Sequence, residues 1–326
     1  MTTSAHAAES EHSRGEFETI ERWLSVLPCA SGQGPFRPGD DAAWLSCSAP
    51  VAISVDTMVE DVHFRRSWCT AHDLGWRALQ AALSDLAASR ARPLGFLLSL
   101  SVPAADFADP TWLDEVVAGL GEAAESTSCP VLGGDTTGSP AGLVIAITVV
   151  GRSVEGKSPL GRGGAQHGEL LQLSGATGWA ALALGHLLAT GDGISASIPA
   201  SAARAWRRPR ARFDLLAALE DASAAIDISD GLLADARHLC EASACALVLD
   251  RAAITDPKLV ETVGYDDALS LALSGGEDYE ILATAPQPMA GFHTIGEVHA
   301  GEGIRWRDGS DVSLDGAGGW DHGRPQ

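Results

Sequence analysis

Apolar side chains recur at helical spacing in the first half of the chain. Residues 71–89 carry the clearest pattern, with one apolar stripe formed by Leu74, Ala78, Leu79, Ala82, Leu83 and Leu86. Residues 16–27 and 110–125 follow the same spacing. Short apolar runs with β-branched side chains predict strands between these helices, at residues 51–55, 95–102 and 142–150.

The second half begins after a glycine-rich segment, residues 151–168, which predicts a joint between two domains. Helical patterns follow at residues 180–189, 212–221 and 231–242, and strand-like runs at residues 170–173, 246–249, 279–283 and 292–298. Because strands and helices mix without strict alternation, the sequence predicts an α+β fold with mixed α/β character. The predicted parts are a disordered tail over residues 1–15, an N-terminal domain over residues 16–150 and a C-terminal α+β domain over residues 151–326.

The charge of the chain limits its partners. Its 326 residues carry a formal net charge of −21, and Lys157 and Lys258 are its only lysines. A surface this acidic repels the nucleic-acid backbone and anionic lipid headgroups, so we expect neither nucleic acid nor membrane as a partner. Any phosphate-bearing ligand must be held by local arginines, backbone N–H groups or bound cations.

Cysteine usage and the N-terminal residues indicate a cytoplasmic protein. The six cysteines form no C-x-x-C pair, so free thiols in a reducing compartment are expected. Residues 1–14 are polar and lack the apolar core of a signal peptide. The longest uncharged stretch, residues 170–191, is interrupted by polar residues and glycines, which predicts soluble core rather than a membrane span.

One segment matches a phosphate-binding motif in its residue types but not in its predicted structure. Residues 151–158 fit the pattern G-x-x-x-x-G-K-[ST] and follow a predicted strand. A P-loop requires a helix that begins at its Lys-Ser pair and binds phosphate through its N-terminus. Here Pro159 and then Gly161, Gly163 and Gly164 follow, and glycines disfavour a helix. The sequence therefore favours another phosphate site.

Acidic residues recur beside glycines and at predicted strand ends. Six short motifs share this character, at residues 39–41, 55–57, 83–85, 133–137, 227–231 and 275–278. A single aspartate in such a turn is more often a turn residue or a helix cap. Six together predict a site of oxygen ligands, which suits Mg²⁺ and allows a cation to receive phosphate groups.

These motifs, in this order, carry a family resemblance. GDDAA at residues 39–43, SVDTMVEDVHF at 54–64, LSDLAA at 83–88, GGDTT at 133–137, IDISDGL at 226–232 and LSGGEDYE at 273–280 resemble the signature set of the thiamine-monophosphate kinase family. That family is grouped with aminoimidazole-ribonucleotide synthetase and selenophosphate synthetase. The resemblance implies an N-terminal α/β domain that binds Mg-ATP and dimerises, a C-terminal α+β domain, and ATP bound between them.

The resemblance also implies roles for individual residues. Metal ligands for several Mg²⁺ ions would be Asp41, Ser54, Asp56, Asp85, Asp135, Asp227 and Asp230. The ATP contacts would be Gly134, Asp135, Arg162 and Ser229. The thiamine-monophosphate contacts would be His63, Glu277 and Trp320. One departure is Val55, which stands where a threonine is usual, so that any metal contact there could come only from its main-chain carbonyl.

The implied activity is ATP-dependent phosphorylation of thiamine monophosphate to thiamine diphosphate, by a homodimer. A phosphate oxygen is already a nucleophile near neutral pH, so no strong general base is required. Two alternatives stay open: a related Mg-ATP enzyme that acts on a purine precursor, and a non-catalytic dimer that binds Mg-ATP.

Overall fold

The computed structural model describes residues 22–28, 48–191, 193 and 198–312. Residues 22–26 are helical. The first sheet contains β1 (Val51–Val59), β2 (Ala91–Pro103), β3 (Val131–Ser139) and β4 (Val144–Ser153), in the order β1-β4-β2-β3. Strand β2 runs parallel to β3, whereas the β1–β4 and β2–β4 pairs are antiparallel. Its helices are α1 (Ala71–Ala88), α2 (Ala104–Ala108) and α3 (Thr111–Thr127).

The second sheet has six strands in the order β10-β7-β9-β5-β8-β6. These strands are β5 (Leu170–Leu173), β6 (Ala224–Asp227), β7 (Ala246–Leu249), β8 (Ile281–Ala285), β9 (His293–His299) and β10 (Gly303–Trp306). The accompanying helices are α4 (Trp179–Thr190), α5 (Ala200–Arg207), α6 (Leu232–Ser243), α7 (Arg251–Ile254), α8 (Pro257–Val263) and α9 (Tyr265–Ser274). The predicted α+β class is confirmed.

Helix α1 forms where the apolar spacing predicts it, and it is the most buried helix described. Thr70 caps it by accepting a hydrogen bond from the backbone N–H of Asp73 at 3.0 Å. Glycines let it approach α3 closely: a Cβ on Gly75 would lie 1.9 Å from the carbonyl oxygen of Val116. Fifteen of its eighteen residues are buried, because the helix packs against both sheets.

The core continues from the first sheet to the second through α1. Ala225 of β6 and Ile281 of β8 belong to the same hydrophobic cluster as Leu79 and Leu83 of α1. Polar side chains complete the junction: Trp76 Nε1 donates to the carbonyl oxygen of Pro209 at 2.7 Å, and Gln80 Oε1 accepts from the N–H of Ala211 at 2.8 Å. The two sheets are therefore joined by one buried helix.

The predicted helix at residues 212–221 is wrong. The segment forms two 3₁₀ turns instead, Phe213–Leu215 and Ala218–Asp221. Its ends are fixed, because Ala211 is bonded to Gln80 and the N–H of Ser223 donates to the carbonyl oxygen of Thr284 at 2.8 Å. A 3₁₀ helix rises about 2.0 Å per residue, whereas an α-helix rises about 1.5 Å per residue. A 3₁₀ helix therefore needs fewer residues to cover the distance between the two fixed ends.

One other local prediction also needs correction. The strand predicted from residue 279 begins at Ile281, because Glu277 and Tyr279 have φ angles of 72° and 52° and cannot belong to a strand. The glycine-rich motif at 133–137 lies within β3, paired with β2. Among the described residues, no helix has the length and apolarity needed to cross a membrane.

Candidate functional site

A cavity of about 560 Å³ lies where α1 meets the second sheet. Acidic side chains reach it from β1 and the turn after it, from α1, from the end of β6 and the turn after it, and from the loop before β8. These side chains are Asp56, Asp61, Asp85, Asp227, Asp230 and Glu277. Segments far apart in sequence therefore contribute acidic side chains to one cavity.

Strand β1 and helix α1 position the first pair of carboxylates. Alternation along β1 turns Ser54 and Asp56 towards α1, while Val55 faces the other side of the sheet and is exposed. Ser54 Oγ donates to Asp85 Oδ2 at 2.5 Å. Asp56 Oδ1 accepts the N–H of Thr57 at 2.8 Å. Asp85 is thereby held beside the strand that carries Asp56.

The turn at residues 227–231 is fixed from within the following helix. Asp235 Oδ2 of α6 accepts the backbone N–H groups of Ser229 and Asp230 at 3.1 and 3.2 Å. The loop before β8 closes over it: the N–H of Glu277 donates to the carbonyl oxygen of Ser229 at 2.8 Å. Only glycine fits at Gly276, since a Cβ there would lie 2.3 Å from that same oxygen. The two motifs form one rigid unit.

The carboxylates repel one another. Burial raises the pKa of Asp227 to about 7, and the charge of Asp85 adds to this, while Arg162 opposes it. Burial raises the pKa of Asp235 to about 7 as well, with further contributions from Asp227 and Asp230. Burial also raises the pKa of Asp56, with Glu277 and Asp85 adding to the effect. Such a group of acids is poised to accept positive charge.

The donor set fits Mg²⁺. The cavity offers carboxylate and hydroxyl oxygens, which hard cations prefer, and no cysteine. Within the described residues, no three acidic, histidine or cysteine side chains already converge on one point.

Glu277 lines the same cavity and accepts hydrogen bonds on its Oε2 oxygen. Its Oε2 accepts from Arg77 Nη2 at 2.5 Å and from the hydroxyl of Tyr279 at 2.6 Å. Arg77 is 1% exposed and also donates to the carbonyl oxygen of Trp206. Arg77 and Tyr279 both line the cavity.

The remaining walls are aromatic and aliphatic. Helix α4 contributes Leu184 and Leu188, and Trp68 faces the same cavity. His63 lines it too, and its Nδ1 accepts the N–H of Val59 at 3.1 Å, so the neutral ring carries its proton on Nε2. The cavity thus joins a carboxylate floor to an apolar side that suits a flat organic ligand.

The ATP contacts implied by the resemblance lie at different places. Ser229 lines the cavity, and the charge of Arg162 acts on Asp227. Gly134 pairs with Leu98, Leu98 with Ile147 and Ile147 with Asp56, so that these four residues lie side by side across the sheet.

Asp135 is the predicted site residue that this geometry sets apart. It follows Gly134 on β3 and lies side by side with Ser99, Ala146 and Thr57 of the neighbouring strands. Because neighbours along a strand point to opposite faces, its side chain points to the sheet face opposite Asp56. Asp41 and Trp320 lie outside the described residues. The roles of all these residues stay predictions.

Three residues at the site were missed by sequence reasoning: Arg77, Asp235 and Tyr279. Tyr279 and Asp235 lie in or just after the acidic motifs, and a search for polar side chains there could have found them. Arg77 carries no such signal, because it lies on a helix whose polar positions look solvent-facing.

The segment that matches the P-loop pattern behaves as predicted. The described residues 154–169 contain no helix. Lys157 Nζ forms an exposed ion pair with Glu220 Oε2 at 3.2 Å. The phosphate-binding lysine of a P-loop would instead need a helix N-terminus at its side.

Comparisons with known proteins agree with the resemblance. The family model described as AIR synthase related protein, N-terminal domain, matches residues 39–153. The thiamine-monophosphate kinase of Mycobacterium tuberculosis strain H37Rv is 33% identical over 335 residues, covering 98% of this chain and 96% of the relative.

Solved structures show the same similarity. Thiamine-monophosphate kinase from Stenotrophomonas maltophilia K279a is 32% identical with a TM-score of 0.76, covering 93% of this chain and 98% of that one. A structure described as AaThiL complexed with AMPPCP and TMP is 29% identical with a TM-score of 0.76, covering 94% and 97%. That relative was therefore solved with an ATP analogue and TMP together.

Proposed function

Because the chain belongs to the thiamine-monophosphate kinase family, we propose that it transfers the γ-phosphoryl group of ATP to the phosphate of thiamine monophosphate, giving thiamine diphosphate and ADP. The observation that carries the proposal is the cavity, which Asp56, Asp85 and Asp227 all line beside an apolar wall. The relative solved with AMPPCP and TMP supports the pairing of these two substrates.

We propose three tasks for the site residues that the family resemblance implies, some of which line the cavity and some of which do not. The metal ligands are Asp41, Ser54, Asp56, Asp85, Asp135, Asp227 and Asp230, and the Mg²⁺ they would hold supplies charge neutralisation between the two phosphate groups. Gly134, Asp135, Arg162 and Ser229 contact ATP. His63, Glu277 and Trp320 contact thiamine monophosphate. The attacking phosphate oxygen is largely ionised near neutral pH, since the second phosphate pKa is about 6.

Assay of the purified chain with Mg-ATP and thiamine monophosphate tests the proposal. We expect thiamine diphosphate that depends on Mg²⁺ and disappears with EDTA. Product seen only with an aminoimidazole-ribonucleotide precursor would favour the related purine enzyme. Binding of Mg-ATP without turnover of either substrate would favour a non-catalytic protein.

We also propose that two copies pair through the first sheet. On the outer face of β1, Val51, Ile53 and Val55 are 45%, 69% and 65% exposed. Leu97 of β2 lies on the same face. Apolar side chains in a contiguous row mark an interaction surface, and a homodimer is what the family resemblance implies.

A further inference from the structure

Glu277 is restrained at one carboxylate oxygen only. Arg77 and Tyr279 both donate to Oε2, at 2.5 and 2.6 Å. Among the described residues, no group forms a hydrogen bond with Oε1. The Glu277 side chain is 25% exposed and lines the cavity, so its second oxygen is the one available to a ligand.

The two donors are themselves buried. Arg77 is 1% exposed, donates to the carbonyl oxygen of Trp206, and lies 4.2 Å from the centroid of the Trp206 ring. Tyr279 is 7% exposed and packs in the core that joins the two sheets. Both residues are held by their own contacts, so together they restrain Glu277.

The backbone beneath Glu277 is fixed as well. Glu277 and Tyr279 both occupy the left-handed region, with φ angles of 72° and 52°. Between them, Asp278 Oδ2 accepts the N–H of Gly178 at 2.9 Å. Two non-glycine residues in this region are uncommon, and neighbouring contacts must maintain them. The loop thus delivers one carboxylate oxygen to a defined place.

An unrestrained glutamate would behave differently. Its charge already acts on Asp56, and it could move closer to Asp56 and Asp85, which line the same cavity. It would then be a flexible negative group, and its second oxygen would have no fixed position. Arg77 counters both outcomes, because its Nη2 donates to Glu277 Oε2 while its Nη1 donates to the carbonyl oxygen of Trp206, which fixes the plane of the guanidinium.

We propose that Arg77 and Tyr279 are positioning residues for substrate recognition, which hold Glu277 so that Oε1 alone meets the bound thiamine monophosphate. The matching ligand chemistry is a cationic or N–H-donating heterocycle, and thiamine carries both a positively charged thiazolium and an aminopyrimidine. This inference rests on the proposed function. It assigns a role in substrate binding, and none in binding Mg-ATP.

Steady-state kinetics of the full chain test the inference. Tyr279→Phe removes one hydrogen-bond donor and keeps the packing of the ring. Arg77→Lys keeps the positive charge but lacks the planar guanidinium group. We expect KM for thiamine monophosphate to rise about 3- to 10-fold in each, as loss of a hydrogen bond to a charged group allows. KM for Mg-ATP should stay within about twofold of wild type.

A double-mutant cycle separates positioning from simple packing. In a Glu277→Ala background, adding Tyr279→Phe or Arg77→Lys should change KM for thiamine monophosphate little further, because the carboxylate they hold is gone. Effects that persist in full in that background, or that raise both KM values together, would overturn the inference and leave the kinase activity standing. A wild-type chain that does not phosphorylate thiamine monophosphate would overturn the proposed function, and this inference with it.

Discussion

At the residue scale, Asp56 is the cavity acid with the clearest structural definition. It is directed towards α1 by the alternation of β1 and shares the cavity with Asp85. We predict that Asp56→Asn lowers kcat by about 100-fold or more, because it removes a preorganised charge where phosphoryl transfer needs one. Steady-state assays check this, with Asp267→Asn on the exposed side of α9 as a matched control. Wild-type turnover by Asp56→Asn would show that the residue is only part of a turn.

The raised pKa of Asp227, about 7 in the folded chain, predicts a pH dependence of stability. A raised folded-state pKa means that protonation favours the fold. The contribution of Asp227 to the free energy of unfolding is complete below the ordinary aspartate pKa of about 4. It is lost as pH rises through about 7. In EDTA, the Tm of wild type should therefore fall relative to that of Asp227→Asn between pH 5 and pH 8.

Adding Mg²⁺ should reverse that trend. A cation binds the deprotonated carboxylates and stabilises the folded chain by mass action. Thermal melts should show a larger Mg²⁺-induced rise in Tm at pH 8 than at pH 5 for wild type, and a smaller rise for Asp227→Asn. Equal pH profiles for the two proteins in EDTA would contradict the burial-driven shift.

At the element scale, the loop that carries Arg162 depends on the end of helix α6. Ser243 Oγ donates to the carbonyl oxygen of Arg162 at 3.0 Å and accepts the N–H groups of Gly164 and Ala165 at 3.2 and 3.1 Å. The other end of α6 holds Ser229 and Asp230 through Asp235. One helix therefore supports the loop and the turn that both face the nucleotide in the proposed function.

We predict that Arg162→Ala strongly weakens Mg-ATP binding and that Ser243→Ala weakens it by about 3- to 10-fold, since the loop loses its hydrogen bonds. Lys157→Ala should change the affinity little, because Lys157 forms only an exposed ion pair. Calorimetric titration with Mg-ATP measures all three. The reverse ranking, with Lys157→Ala the most damaging, would support the P-loop interpretation.

The sequence predicts α1 as a helix but not its surroundings. Its apolar stripe is visible as a pattern, whereas Arg77 and Gln80 fall between apolar positions and look like a solvent face. Both are buried, because the polypeptide at residues 206–211 supplies their hydrogen-bond partners. The periodicity of apolar residues indicates only the apolar surface of α1. The surface that is buried through polar contacts carries no apolar residues in a regular pattern, so the sequence does not indicate it.

The candidate site could likewise be predicted from the sequence only in part. The acidic motifs could be predicted to converge, because short carboxylates beside glycines and at strand ends suit a shared cation site. Sequence could not give the sheet face of Asp135, which depends on the register of β2 with β3. Nor could it show that Asp235 fixes the turn of Ser229, since that contact requires the helix to be in place.

At the scale of the whole molecule, the outer face of β1 predicts self-association. Ile53 is its most exposed large apolar side chain, at 69%. Ile53→Asp should convert a dimer to monomers at micromolar concentration, because a charge would be buried unpaired in the interface. Sedimentation or light scattering checks this, with Glu155→Gln, an exposed position outside that face, as control. A wild-type chain that is monomeric at high concentration would contradict the proposed pairing.

The burial of α1 between two sheets has a consequence for the growing chain on the ribosome. Domains are generally expected to fold in order as they emerge. Here the core around α1 draws on residues from Trp23 to Met289, so it cannot close until β8 has been synthesised. A fragment that ends at residue 153 should therefore bind a hydrophobic dye such as ANS and be cleaved rapidly by proteases, whereas the full chain resists both. A compact, protease-resistant fragment would show that the first sheet protects α1 by itself.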